Sequence, residues 1–304
     1  MLRRPMLASY RTLVTFCLLL LAPLSPAAAQ DTSSDAPRAL RFNWTRDGIL
    51  TGTAGVLWIS SESVFKDNLA PAQCRWCDRA PDGTDRLNRL DRWGRGIAGE
   101  TEASRRRADT WSNVLGFAGL PLALLGTQYA VGHSSGASRE YFAQDATIMV
   151  QSAVFASVAN QAVKFAVGRE RPFVHVLSDE AKGLTAHPTD NNLSFYSGHT
   201  NLAFSLAVSA GTVASLRGYK HQGLIWGVGL PLAAGVGLLR MGADKHYLSD
   251  VLTGAVLGTA FGLAVPLLLH GRVDDDVHPA ATRASSVSLN PMVGSQMVGL
   301  SGAF

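Results

Sequence analysis

Five stretches of the chain, 111–132, 146–163, 200–216, 223–239 and 251–269, are long, apolar and free of Asp, Glu, Lys and Arg. Each is near the length of a helix that crosses a bilayer, although several are short and carry Ser, Asn and Gln. Over all 304 residues, 47% are hydrophobic and 16% charged, which is richer in apolar content than most soluble enzymes. Gly254, Gly258 and Gly262 recur at every fourth position, placing a strip without side chains on one helical face where a neighbour can approach closely. The expected fold is all-α: a helical bundle of about five to six core helices, embedded in a membrane. A weaker apolar segment at 48–60 is short for a span, and the expectation is a helix packed against the bundle without crossing.

The flanks differ from this core. Arg3, Arg4 and Arg11 precede the apolar run Leu13 to Leu21, and Ala27, Ala28 and Ala29 precede Gln30, the pattern of an export signal; an uncleaved anchor would deliver residue 30 to the same side. Cys17 lies in that run without the small-residue context of a lipid-modified cysteine. Residues 61–110 form a polar, Arg-rich lobe. After "VDDDVHP", the alternation in "SSVSLNPMVGSQMVGLSGAF", with Gly294 and Ser295 at a turn, reads as a short β-hairpin; a frayed tail is the competing reading. The expected organisation is a signal at 1–29, an N-terminal lobe at 30–110, the bundle at 111–270, and a linker with terminal hairpin at 271–304.

The formal net charge is only +4, and apart from Arg105, Arg106 and Arg107 the basic residues are scattered, so no basic face offers itself to nucleic acid. Cys74 and Cys77 lie in "CRWCD". In an oxidising compartment that pair most simply closes a small disulfide loop, since a redox motif would want a strand–helix context and a zinc site two more ligands.

Charged groups collect where apolar helices begin or end. "LRMGADKHYLSDVLTG" sets Arg240, Asp244, Lys245, His246 and Asp250 against the last apolar run. Charges near hydrocarbon cost roughly 2.5–3.5 kcal/mol each at a helix centre, so they mark a function or a boundary. The four-residue spacing of His246 and Asp250 puts them on one helical face, where a carboxylate can hold an imidazole nitrogen. "KFAVGRERPF" carries Lys164, Arg169, Glu170 and Arg171, and "SFYSGHTNLAF" puts Ser197, Gly198 and His199 before the run at 200–216. Because spans alternate in direction, these clusters fall on one side of a membrane and can meet. Lys164, Arg171 and Arg240 can then surround a phosphoryl group, Ser197 and Gly198 stand at a helix N-terminus that favours anions, and two histidines remain for covalent and acid–base work. No cluster of Asp, Glu, His or Cys beside them reads as a metal site, so no metal and no cofactor is expected, and cationic side chains would carry the charge stabilisation.

These three elements, Lys164 with Arg171-Pro172, Ser197-Gly198-His199, and Arg240 with His246 and Asp250, resemble the three-part signature of the type 2 phosphatidic acid phosphatase superfamily over roughly residues 111 to 270. Tyr196 stands where that family usually has Pro, and Leu239 where Ser often precedes the Arg. The resemblance implies a metal-independent phosphatase in which His246 attacks phosphorus to form a phosphohistidine and is oriented by Asp250. It implies further that His199 protonates the leaving oxygen and later activates water, and that Lys164, Arg171, Arg240, Ser197 and Gly198 hold the phosphoryl group. Asp244 and Lys245 are read as interface charges, Arg169 and Glu170 as bland, and His175 and His187 as solvated residues of a loop, 172–196, that could cover the site.

Three classes compete: a membrane phosphatase of a lipid phosphate or polyprenyl pyrophosphate, a soluble exported acid phosphatase of the same superfamily (with a vanadate-binding haloperoxidase as a distant variant), and a non-enzymatic envelope protein. The expected partners are a phosphorylated lipid or other phosphoester and the membrane, with no nucleic acid; oligomeric state is not legible. The expected location is a bacterial cell envelope, in the inner membrane with the site facing the periplasm, or soluble in the periplasm.

Overall fold

The computed structural model describes residues 36–80, 82–273, 288–294 and 297–303. The expected signal segment and residues 274–287 of the expected linker lie outside the described residues. Ten α-helices are described: α1 (Trp44–Ser63), α2 (Lys66–Leu69), α3 (Arg89–Gly94), α4 (Glu102–Val114), α5 (Leu120–Ser134), α6 (Arg139–Val167), α7 (Asp179–Gly183), α8 (Gly198–Arg217), α9 (Gln222–Gly242) and α10 (Leu248–Ala264). A wider π-helical turn, Leu115–Gly119, joins α4 to α5, and another, Val265–Leu269, extends α10. A two-stranded antiparallel pair, Ser288–Gly294 with Met297–Ala303, follows; the fold is otherwise helical.

Local signals set the ends. The Ser138 hydroxyl accepts from the Tyr141 amide at 3.1 Å to start α6, as an N-cap does. Gly168, at φ 61°, ends α6 in the left-handed conformation that glycine adopts without penalty. The Asp250 carboxylate accepts from the Tyr247 amide at 3.0 Å at the start of α10.

Helix α8 is the axis of the bundle, wrapped by α6, α9 and α10. Most of its length is buried, including Ser205, Ser209 and Thr212. Those hydroxyls bond inside the protein: Ser209 meets Ser152 of α6 at 2.9 Å, and Ser205 and Thr212 donate to carbonyls of their own helix. The polar speckling of this segment thus reflects burial in protein rather than contact with lipid. The strip of glycines on α10 faces α8: a β-carbon on Gly254 would lie 2.7 Å from the Ser197 carbonyl oxygen, and one on Gly262 2.8 Å from that of Ser205. At the end of the bundle away from the charged motifs, Asp145 of α6 accepts from Arg217 Nε at 2.9 Å, the Tyr219 hydroxyl at 2.7 Å and Gln128 of α5 at 3.0 Å. This clasp ties three helices together where each ends or begins.

Four helical stretches, Glu102–Ser134, Arg139–Val167, Gln222–Gly242 and Leu248–Leu269, are long and apolar enough to cross a membrane. The segment expected at 48–60 does pack on α6, yet it is longer than expected and runs the height of the bundle. Its start lies at the far end, where the Arg41 amide donates to the Gly271 carbonyl at 2.9 Å and Phe42 stacks on His270. Its end lies beside the charged motifs, where Glu62 accepts from Gln161 and Lys66, just beyond, pairs with Asp190 at 2.6 Å. Twenty residues at 1.5 Å each span about 30 Å. Its two ends thus lie at the two ends of the bundle, although it is not among the four stretches long and apolar enough to cross a membrane.

Candidate functional site

The site is assembled at one end of the bundle from the end of α6, the start of α8, the end of α9 and the turn before α10. Lys164 occupies the last turn of α6, and the absent side chain of Gly198 makes room for it: a β-carbon there would lie 3.2 Å from Lys164 Nζ and 2.8 Å from Asn160 Oδ1. Ser197, fully buried, stands at the N-cap position of α8 without a side-chain capping bond; its hydroxyl lies 2.9 Å from that of Thr200 and its amide donates to the Asp250 carbonyl. The amides that open α8 have no intrahelical acceptors, which leaves them for an anion. Tyr196, in the place usual for Pro, is buried, and its carbonyl accepts from Asn160 at 2.8 Å.

Arg171 is buried, and its Nε donates to the Asp190 carbonyl at 2.8 Å. Asp190 also pairs with Lys66. Burial alone would raise its pKa, but Arg171, Lys66 and Lys164 hold it down at about 2. Arg240 is anchored from α4, its Nη1 donating to Asp109 at 2.6 Å and to Ser112 at 3.1 Å. Arg240 Nε is buried without a hydrogen-bond partner among the described residues, an unmet donor of the kind that a ligand oxygen satisfies.

His246 is buried, and its Nδ1 lies 2.8 Å from the Ser194 carbonyl. A carbonyl only accepts, so Nδ1 carries the proton and Nε2 keeps its lone pair. Burial, and then Arg171, Arg240 and Lys164, keep the imidazole pKa well below the ordinary 6.5. The three cations therefore act on the same ring. His199 lies within the field of the same cations and of His246; its Nε2 meets Asn113 of α4 at 2.7 Å and its ring packs edge-on against Phe117.

Asp250 does not hold His246 directly. The two are 3.8 Å apart, too far for a hydrogen bond. Its oxygens instead accept from the Ser194 hydroxyl at 2.6 Å, the Tyr247 amide and Arg169 Nη1 at 2.7 Å. The expected carboxylate–imidazole contact is thus replaced by a relay through Ser194, whose hydroxyl binds Asp250 and whose carbonyl binds His246.

Arg169, expected to be bland, is the hub beneath this relay. It is fully buried, pairs with Asp78 at 2.9 Å, Asp91 at 2.6 Å and Asp250 at 2.7 Å, and lies between the rings of Trp76 and Tyr247, 4.2 Å from each. Trp76 and Asp78 flank Cys77, which is bonded to Cys74; the disulfide loop presents both groups to Arg169. Three further expectations are corrected by burial. Glu170 is buried and pairs with Lys182 at 2.6 Å, and His175 is buried 3.4 Å from Asp85. Asp244 is buried 3.9 Å from Arg95, while half-buried Lys245 lies 4.6 Å above the Phe173 ring. His187 is exposed as expected. Among the described residues, no group of three or more His, Cys, Asp or Glu converges as a metal site would require.

Sequence reasoning missed Asp109, Ser112 and Asn113, although their spacing of three and four across the start of an apolar run places them on one face of α4. It also missed Ser194 and Asp190, which lie in a loop where no periodicity marks a role.

Residues 145–274 match the model of the PAP2 superfamily. No curated protein matches the chain. Among solved structures, the chain is similar to the first transmembrane PAP2 type phosphatidylglycerolphosphate phosphatase from Bacillus subtilis, at 18% identity over 84% of this chain and 92% of that one, with a TM-score of 0.37. The match to the PAP2 superfamily is thus confined to residues 145–274, the part of the chain that holds most of α6 and all of α8, α9 and α10.

Proposed function

We propose that the protein is a membrane phosphatase that hydrolyses a phosphomonoester or diphosphate of a lipid through a phosphohistidine. One observation carries the chemistry: a neutral His246, with its Nδ1–H held by the Ser194 carbonyl, keeps a free Nε2 in the field of Lys164, Arg171 and Arg240. In this reading Nε2 attacks phosphorus while the bond to the leaving oxygen breaks and His199 gives that oxygen a proton. The ring of His246 becomes cationic, and the Ser194–Asp250 relay fixes its orientation. Water then attacks the phosphohistidine, His199 takes the proton from that water, and phosphate leaves. The three cations, Ser197 and the amide of Gly198 hold the phosphoryl oxygens, with Arg240 Nε gaining the acceptor it lacks. Positioned acid–base groups of this kind contribute roughly 10²–10⁴ in rate.

A lipid substrate is favoured over a soluble one by the outer surface. Ile49, Val56 and Leu57 on α1, Leu122 on α5, Leu224 on α9, and Val256 and Leu268 along α10 and its extension are all more than half exposed, with Leu268 and Leu122 reaching 73% and 68%. Apolar exposure spread over four helices fits hydrocarbon rather than water.

The test is quenched single-turnover labelling with phosphate release measured on lipid and soluble phosphoesters. The wild type should form an acid-labile, base-stable label. His246→Ala should form none, and His199→Ala should still be labelled by a substrate whose leaving group needs no proton. Label on His246→Ala, or no phosphate release from any phosphoester by the wild type, would overturn the reading.

A further inference from the structure

Lys245 is a charged neighbour of the site whose contacts do not explain it. Arg240 is engaged by Asp109 and Ser112, Arg171 by Asp190, and Lys66 takes both Glu62 and Asp190. Lys245 has no carboxylate partner and no side-chain hydrogen bond among the described residues; its Nζ rests over the Phe173 ring at 4.6 Å. The backbone fixes where it stands. Its amide donates to the Arg240 carbonyl at 3.2 Å, and the Phe173 amide donates to the Asp244 carbonyl at 3.1 Å, so the turn before His246 is stitched to both cation-bearing segments. Asp244, at φ 55°, turns the chain so that its own carboxylate meets Arg95, while Lys245, next to His246, lies over Phe173, two residues from Arg171.

The charges that act most on Lys245 are Arg171, Asp109, Arg240 and Asp190, whereas those that act most on His246 are Arg171, Arg240 and Lys164. Arg171 and Arg240 thus act on both Lys245 and His246, whereas Lys164 is among the strongest charges on His246 only. Burial and the two guanidiniums disfavour this ammonium, Asp109 and Asp190 only partly offset them, and an arriving anion would favour it. The phosphoryl group under attack already has three cations and a helix N-terminus for its oxygens, so the ammonium of Lys245 lies beyond that group's needs.

We propose that Lys245 is a substrate-binding residue that takes the second phosphate of a diphosphate, and so favours diphosphates over monophosphates carrying the same alkyl chain. This inference rests on the phosphatase reading above. A competing account is that Lys245 only packs on Phe173.

The experiment compares kcat/KM for an alkyl diphosphate and the matching alkyl monophosphate in the wild type, Lys245→Met and Lys245→Arg. One charge-assisted contact corresponds to roughly ten- to a hundredfold. The diphosphate-to-monophosphate ratio should therefore fall at least about tenfold in Lys245→Met, mainly through KM, and recover in Lys245→Arg. Equilibrium titration with inorganic pyrophosphate and inorganic phosphate, on the same proteins, needs no turnover and should show pyrophosphate affinity falling more than phosphate affinity. An unchanged ratio in both measurements, or equal losses on both ligands, would overturn the role of Lys245. Absence of turnover in the wild type with the pyrophosphate preference intact would instead overturn the phosphatase reading alone.

Discussion

At the scale of single residues, the protonation of His246 is set by its surroundings. The ring is buried among cations, and its Nδ1–H is held by a carbonyl. A lowered pKa means that the neutral form, the one the proposed attack needs, persists as pH falls below 6.5 and is lost only at the depressed value. The acid limb of kcat/KM, which reports the free enzyme, should accordingly lie below pH 6.5, and a pH–rate profile with its acid limb at or above that value would contradict this environment. Asp250 acts one residue removed: Asp250→Asn keeps the shape but disturbs the bonds from Arg169 and Ser194, so turnover should fall while binding of vanadate, a mimic of the transferring group, persists.

At the scale of elements, two contacts position the site. Arg169 joins the N-terminal lobe to α10 through Asp78, Asp91 and Asp250. Removing one member of a buried ionic cluster leaves the others uncompensated, at about 3–5 kcal/mol. Arg169→Met should lose about that much stability in denaturant titration and lose activity with it. A stability change below about 1 kcal/mol would show that the hub is not a structural tie. The second contact is α10 on α8. A methyl group at Gly254 would strike the Ser197 carbonyl, so Gly254→Ala should cost about 1–3 kcal/mol of overpacking. Because Ser197 and Asp250 are joined through the backbone, kcat should fall more than in Gly227→Ala, whose added methyl meets nothing within 4 Å.

At the scale of the whole molecule, α1 decides orientation. Residues 36–43 lie at the end of the bundle away from the site, and the Cys74–Cys77 loop lies at the site. If residue 36 is exported, the site faces the cytoplasm, as the Arg-rich lobe favours under the positive-inside bias; if the disulfide end is the oxidising side, residues 36–43 are cytoplasmic. In either case, reporter fusions at Ala36 and Leu184 should report opposite sides, and those at Ala36 and Ser138 the same side. Ala36 and Leu184 on one side would mean that α1 does not cross.

The sequence by itself determined the helical class, the charge-free runs, the glycine face of α10 and the three charged clusters. Each of these is written locally: periodicity and length specify a helix, and the charged clusters are legible as particular side chains at helix ends. Tertiary structure alone decided that Arg169 is a hub, since its partner Asp78 is 91 residues away, and that Ser194 stands between Asp250 and His246. It likewise decided that Lys245 lacks a carboxylate among the described residues and that α1 runs from one end of the bundle to the other. Such features depend on which distant segments meet when apolar helices bury one another, and the free energy of a charge depends on the partners it finds there, not on its neighbours along the chain.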